Sequence, residues 1–360
     1  NPTEFDAREW VAIARAAGMK YLVFTTKHHD GFCMFDSKLT DYKITNSPFK
    51  RDITAEIADA CHEAGMKLGF YYSPPDWHHP DYRNGERHAR YIEYLHGQVR
   101  EILSNYGKIE IMFFDFSYPH SEANGLKGKG RDDWNSMELI KLTRELQPQI
   151  LVDDRLDLMD VPGGWDYRTP EQVALREQPM LDGKPVLWET CQTFSGSWGY
   201  HRDESTWKSV DQLVRMLIDT VSKGGNLLLN VGPTARGTFD ARAMDRLSGM
   251  GDWMKLHARS IYGCGPAPAE FKTPQDCRLT YNPETKRIYV HVYAWPFRAL
   301  HLDGFGGKVK YAQLLNDASE TPAYPPERLR HWGAPEDTLV LSLPVQQPDV
   351  AVPVIELYLT

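Results

Sequence analysis

Long apolar runs, a basic surplus and paired cysteines are all missing from this 360-residue chain. No stretch approaches the roughly 20 apolar residues that a membrane span requires. With 41 Lys and Arg against 49 Asp and Glu, the formal net charge is −8. An acidic chain without a Lys/Arg stripe lacks the electrostatic footprint of a nucleic-acid partner. The five cysteines (Cys33, Cys61, Cys191, Cys264 and Cys277) are scattered and form no CxxC pair. That argues against a disulfide framework and against structural zinc. No GxGxxG follows a strand-like run, and neither a P-loop nor a GxSxG elbow occurs, so dinucleotide, phosphate and serine-triad chemistries lack their motifs. Residues 1–10 are polar and lack the apolar stretch of a signal peptide.

What remains is an alternation of helix-period and strand-like segments. Residues 5–17 predict a helix: Trp10, Ile13, Ala14 and Ala17 share a face, Asp6 with Glu9 resembles a capping box, and Gly18 stops it. YLVFTT (21–26) predicts a buried strand. Residues 53–64 predict a second helix, stopped by Gly65, and 68–72 a second strand. The junctions AGMK at 17–20 and 64–67 repeat one another. Further helices are expected at 91–106, 135–146, 210–222 and 241–256, and strands at 109–114, 150–152, 186–188 and 226–231. Polar and aromatic residues cluster just after the strands, where a (β/α) barrel collects its functional groups. After about residue 265 the pattern changes to short alternating runs (287–294, 339–343, 352–359), read as antiparallel strands. The expectation is an α/β chain: a (β/α)8-type barrel over residues 1–264 followed by a small antiparallel β-sandwich over 265–360. Six or seven barrel strands are countable and the chain opens in a helix, so the remaining strand is expected either upstream of Asn1 or from another segment or subunit that closes the barrel.

Five clusters follow strands. They are Lys27-His28-His29-Asp30-Gly31-Phe32, the run from Tyr71 to His79, Phe113-Phe114-Asp115-Phe116, the segment from Asp153 to Glu171 with Arg155, and Trp188-Glu189-Thr190 with Trp198 beyond it. Asp115 ends an apolar strand between aromatics, and a carboxylate there is costly unless paired or functional. Glu171 lies in a loop; Glu189 is the runner-up second carboxylate. Two carboxylates, one ionised and one starting protonated, are the minimum for glycoside hydrolysis. Adjacent histidines diverge, so no metal and no cofactor are expected.

At these residues the chain resembles the α-L-fucosidases of glycoside hydrolase family 29. The matching stretches are FDAREWVAIARAAGMKYLVFTTKHHDGF, LGFYYSPPDW, the FFD strand end, DDR, DYRTPE, WETC with SWGY, and GGNLLLNVGP. The resemblance implies a retaining exo-hydrolase of terminal α-L-fucose, acting on a fucosylated oligosaccharide or glycoconjugate. It implies Asp115 as nucleophile and Glu171 as acid/base. His28, His29, Tyr72, Arg155 and Trp198 match sugar-binding positions, and Trp77 stands beside them in the LGFYYSPPDW stretch. A periplasmic, secreted or lysosomal setting is implied, and a homo-oligomer is compatible with it. Phe113 stands where the family usually has Trp, and Phe116 where it usually has Gly. The alternative readings are a glycosidase for an L-galactose-type sugar and a non-catalytic carbohydrate binder. The Gly- and Lys-rich loop 119–133 is the expected seat of leaving-group recognition.

Overall fold

The structure is a computed structural model that describes residues 1–119, 122, 123, 126–325, 331, 333 and 335–360. Part of the 119–133 loop therefore lies outside the described residues. The chain divides into two compact units: residues 1–169 with 233–240, and residues 170–232 with 241–360.

The first unit is built of helix-then-strand repeats. Helix α1 (Ala7–Ala16) is capped by Asp6, whose carboxylate accepts from the backbone N–H groups of Arg8 and Glu9. Trp10 of α1 donates its indole N–H to Gly237 O at 2.8 Å. Strand β1 (Tyr21–Lys27) follows, then α2 (Ile53–Ala64), β2 (Lys67–Tyr72), α3 (His88–Ser104), β3 (Ile111–Phe114), α4 (Ser136–Leu146) and β4 (Leu151–Val152). Asp52 caps α2, and Gly65 ends it in a left-handed conformation with φ 65°. The four strands form one parallel sheet in the order β1-β2-β3-β4. Leu68, Phe70, Met112, Phe114 and Val152 are fully buried, as expected of parallel strands covered on both faces.

In the second unit, β5 (Trp188–Thr193) pairs in parallel with β6 (Gly225–Asn230); α5 (Val210–Val221) lies between them in sequence and α6 (Ala241–His257) follows. The expected strand at 186–188 is thus displaced, and Glu189 lies inside β5 rather than beyond its end. All six β5 residues are buried. Gly225 is required opposite, since a Cβ there would meet the Trp188 ring at 2.4 Å. The antiparallel part contains β7 (Cys277–Asn282), β8 (Arg287–Val292), β9 (Ala299–Asp303), β10 (Val309–Leu314), β11 (Thr338–Ser342) and β12 (Val354–Leu359). One sheet runs Gly265–Pro266, β7, β8, β12, β10; β9 pairs with β11. Leu279, Ile288 and Val290 of the first and Leu300, Leu302 and Leu341 of the second share one apolar core.

The division into units does not follow the change of composition at 264/265. Helices α5 and α6 are tied to the antiparallel strands: Arg278 donates to Asp219 Oδ1 at 2.8 Å, and the Trp253 indole to Val352 O at 2.9 Å. All five cysteines are free. Among the described residues no helix is long and apolar enough to cross a membrane.

Candidate active site

The C-terminal ends of β1, β2 and β3 lie side by side, with Lys27 paired to Tyr72 and Tyr72 to Phe114. Asp115 follows β3 directly and is 9% exposed. Arg155 Nη1 donates to its Oδ1 at 2.6 Å, and the Tyr71 hydroxyl donates to Oδ2 at 2.5 Å. Charge-assisted bonds of this length fix a carboxylate firmly. The donors are themselves fixed. Arg155 reaches Thr169 Oγ1 at 2.9 Å and Thr169 O at 3.0 Å, while Thr169 is held by Asp154 Oδ1. A row of planar groups buttresses the site. The Arg155 guanidinium lies 4.9 Å from the Phe113 ring, Phe113 stacks 5.6 Å from Tyr71, and Tyr71 stacks 5.4 Å from His28. Phe113 therefore serves as the middle plank between the two donors.

Tyr72, expected to bind substrate, points away. It is fully buried and its hydroxyl donates to Gln98 Oε1 at 2.8 Å. Side chains alternate along a strand, so its neighbour Tyr71 is the one aimed at Asp115.

His29 sits over the same carboxylate, with Nε2 3.7 Å from Asp115 Oδ2. Its Nδ1 is 2.5 Å from Ser73 Oγ, and Ser73 donates its single hydroxyl proton to Pro75 O at 2.7 Å. Ser73 must then accept from Nδ1–H, leaving Nε2 of the neutral ring as a bare acceptor. Burial first, and the neighbouring His28 second, lower the His29 pKa to about 4 against the opposing pull of Asp115. Near neutral pH two acceptors, Nε2 and a carboxylate oxygen, thus converge on one place that a hydroxyl donor can occupy.

The loop carrying the histidines is set from beneath. Lys27, the first residue of the cluster after the YLVFTT run, is fully buried and pairs with Asp76 at 3.1 Å, its ammonium 4.5 Å from the Tyr72 ring. Burial pushes its pKa down, with Asp76 opposing. Asp76 also accepts from the backbone N–H groups of His78 and His79. Removing one partner of such a buried pair costs about 3–5 kcal/mol. At Gly31, φ is +81° and a Cβ would lie 2.3 Å from Asp76 Oδ1, so only glycine lets the loop close over the pair.

Three aromatics rim the site. Trp77 is exposed, its ring 5.4 Å from His29, while its backbone N–H donates to His29 O at 2.7 Å. Phe116 lies 5.4 Å from His29 and 4.6 Å from Tyr118. Its φ is +87°, a conformation that costs a residue with a Cβ about 1–2 kcal/mol. Asp153, at the end of β4, is fully buried. Phe114 N–H donates to its Oδ1 at 3.2 Å, and desolvation raises its pKa well above the usual carboxylate range.

Ligand atoms of His28, His29 and Asp115 all lie within 4.8 Å of one another, the one such group among the described residues. Arg155 already supplies a cation to Asp115, which weakens the case for a metal there.

In the second unit, Glu171 is exposed on a loop whose backbone bridges to Cys191, with Gln172 N–H donating to Cys191 O at 3.0 Å. Glu189 is 4% exposed. Trp198 is 41% exposed, and its carbonyl accepts from Asn230 Nδ2 at 2.5 Å.

The sequence model described as Alpha-L-fucosidase matches residues 1–259. Human plasma alpha-L-fucosidase is 30% identical over 312 residues, covering 81% of this chain and 62% of the relative. The Dictyostelium discoideum alpha-L-fucosidase is 27% identical, covering 81% and 63%. The chain thus spans somewhat over three-fifths of the length of these curated relatives. Among solved structures, alpha-L-fucosidase isoenzyme 1 from Paenibacillus thiaminolyticus superposes with a TM-score of 0.90 at 41% identity, covering all of this chain and 88% of its own. The Bacteroides thetaiotaomicron GH29 alpha-L-fucosidase, trapped as a covalent intermediate with 2-fluoro-fucosyl fluoride, gives 0.85 at 27%, covering all of this chain and 83% of its own.

Proposed function

The chain belongs to the alpha-L-fucosidase family, and from that premise we propose that it hydrolyses terminal α-L-fucosides with retention of configuration. The observation that carries this reading is the Asp115 carboxylate, aimed by Tyr71 and Arg155 beside a neutral His29. In the proposed reaction Asp115 attacks the anomeric carbon and forms a glycosyl ester. Glu171 gives its proton to the departing oxygen and then takes one from the water that cleaves the ester. Glu189 is the weaker choice for that role, because a carboxyl enclosed in β5 has little access to a leaving group. His28, His29, Arg155, Trp77 and Trp198 are assigned to the substrate, with Tyr71 in place of Tyr72. The parallel strands are read as those of a (β/α)8-type barrel over residues 1–264, with the antiparallel strands of 265–360 as a C-terminal β-sandwich. The covalent intermediate of the Bacteroides relative supports the double displacement, and the iminocyclitol inhibitor in the structure of a bacterial fucosidase supports a sugar-shaped pocket. The test is hydrolysis of 4-nitrophenyl α-L-fucoside by the purified chain, with the configuration of the first-formed fucose read by NMR. Release of the inverted sugar, or binding of fucose without turnover, would overturn the reading.

A further inference from the structure

Phe116 holds a left-handed backbone, φ +87°, that its side chain disfavours, and burial does not offset the strain, because the ring is 46% exposed. It stands next in sequence to Asp115, and its ring lies 5.4 Å from that of His29, as does the ring of Trp77, which is 64% exposed. In an exo-hydrolase the sugar being removed fills the pocket and the leaving group projects toward solvent. The exposed rings at the rim are then what the leaving group meets. We propose that Phe116 and Trp77 form the surface that grips the leaving group, and that it takes aglycones with an aromatic ring or the apolar face of a sugar. Strain concentrated at one exposed ring beside a nucleophile is the pattern of a functional constraint, and stacking on aromatics is tolerant of ring type. The inference deepens the fucosidase reading and rests on it.

The experiment compares two substrates in the full chain: 4-nitrophenyl α-L-fucoside, whose leaving group reaches the rim, and α-L-fucosyl fluoride, whose leaving group does not. Both are measured as kcat/KM, which includes departure of the leaving group. In Phe116→Gly the backbone is relieved, so the protein is expected to fold with an unfolding temperature no lower than the parent. The ratio of kcat/KM for the aryl fucoside to that for the fluoride should fall about five- to ten-fold. Trp77→Ala should move the same ratio in the same direction. An unchanged ratio, or equal losses on both substrates, would overturn the proposal, since Phe116 would then only be shaping the Asp115 backbone. If the unmodified chain turns over neither substrate, the fucosidase reading fails and takes the inference with it.

Discussion

His29 in the first unit and His291 in the second are wired alike. Each gives one ring N–H to a hydroxyl that donates elsewhere: Ser73 to Pro75 O for His29, Thr280 to Ser260 O for His291. Each is held neutral by burial, at about 4 and about 3. Each unit also buries a carboxylate against arginine, Asp115 with Arg155 and Glu356 with Arg259. The difference lies in where the remaining capacity points. His291 Nδ1 is enclosed without a hydrogen-bond partner among the described residues, and Glu356 is filled by Arg259 and Gln313 inside a sheet. His29 Nε2 faces Asp115 at a rim of exposed rings. A lowered histidine pKa or a buried ion pair does not mark a site by itself; two acceptors facing one another beneath exposed rings do.

Exchanging the two carboxylates for amides separates these roles most sharply. Asp115→Asn should lower kcat by at least about 10⁴-fold, with the weakened pair to Arg155 costing about 1–3 kcal/mol of stability. Glu356→Gln should leave turnover intact and cost about 1–3 kcal/mol of stability, read as a fall in the unfolding midpoint. The reverse pattern would reassign which unit holds the chemistry. Next in size, Glu171→Gln should lower kcat on 4-nitrophenyl α-L-fucoside by about 10²–10⁴-fold, with azide restoring turnover. Glu189→Gln, if it shows the larger loss and the azide rescue, exchanges the two assignments.

Much of the scaffold was legible in the sequence, because local signals agreed with one another. Helix α2 spans the predicted residues 53–64 and ends at Gly65, and the YLVFTT and LGFYY runs are strands within a residue or two. Strand β5 was misplaced because Glu189, Thr190 and Gln192 interrupt its apolar pattern, although pairing with β6 buries them all. Asp115, His28, His29 and Arg155 could be picked out as charged or polar residues after apolar strands. Tyr71 could not be told from Tyr72, because a strand buried on both faces carries no alternation to set its phase. The Lys27–Asp76 pair joins residues 49 apart, and nothing local announces it. Nor does phenylalanine hint at the positive φ of residue 116.

Acid sharpens the histidine comparison more gently. The folded His291 binds a proton only near pH 3, whereas the unfolded chain binds it near the ordinary value of 6.5. Between these the unfolded state holds more protons, so the contribution of His291 to stability is full above about pH 6.5 and is lost as pH falls toward 3. The slope approaches about 1.4 kcal/mol per pH unit. His291→Gln should flatten that part of a pH series of denaturant midpoints without shifting the pH profile of turnover; His29→Gln should flatten the series only down to about pH 4 and should act on turnover as well. The smallest expected effect is that of metal removal. Dialysis against a chelator should leave kcat unchanged, and a loss restored by one divalent ion would place a cation among His28, His29 and Asp115.

Gly31 carries a consequence for how this scaffold could be diversified. It touches no substrate in any reading of the site, yet every other residue there collides with the carboxylate that seats the histidine loop. A saturation library at residue 31 should therefore score as uniformly dead, as a library at Asp115 would, and sequence statistics alone would class the two together. Trp77 and Phe116 should instead yield graded survivors. The inherited freedom of this scaffold lies in the rings it shows to solvent, while the aim of its histidines is closed to stepwise change.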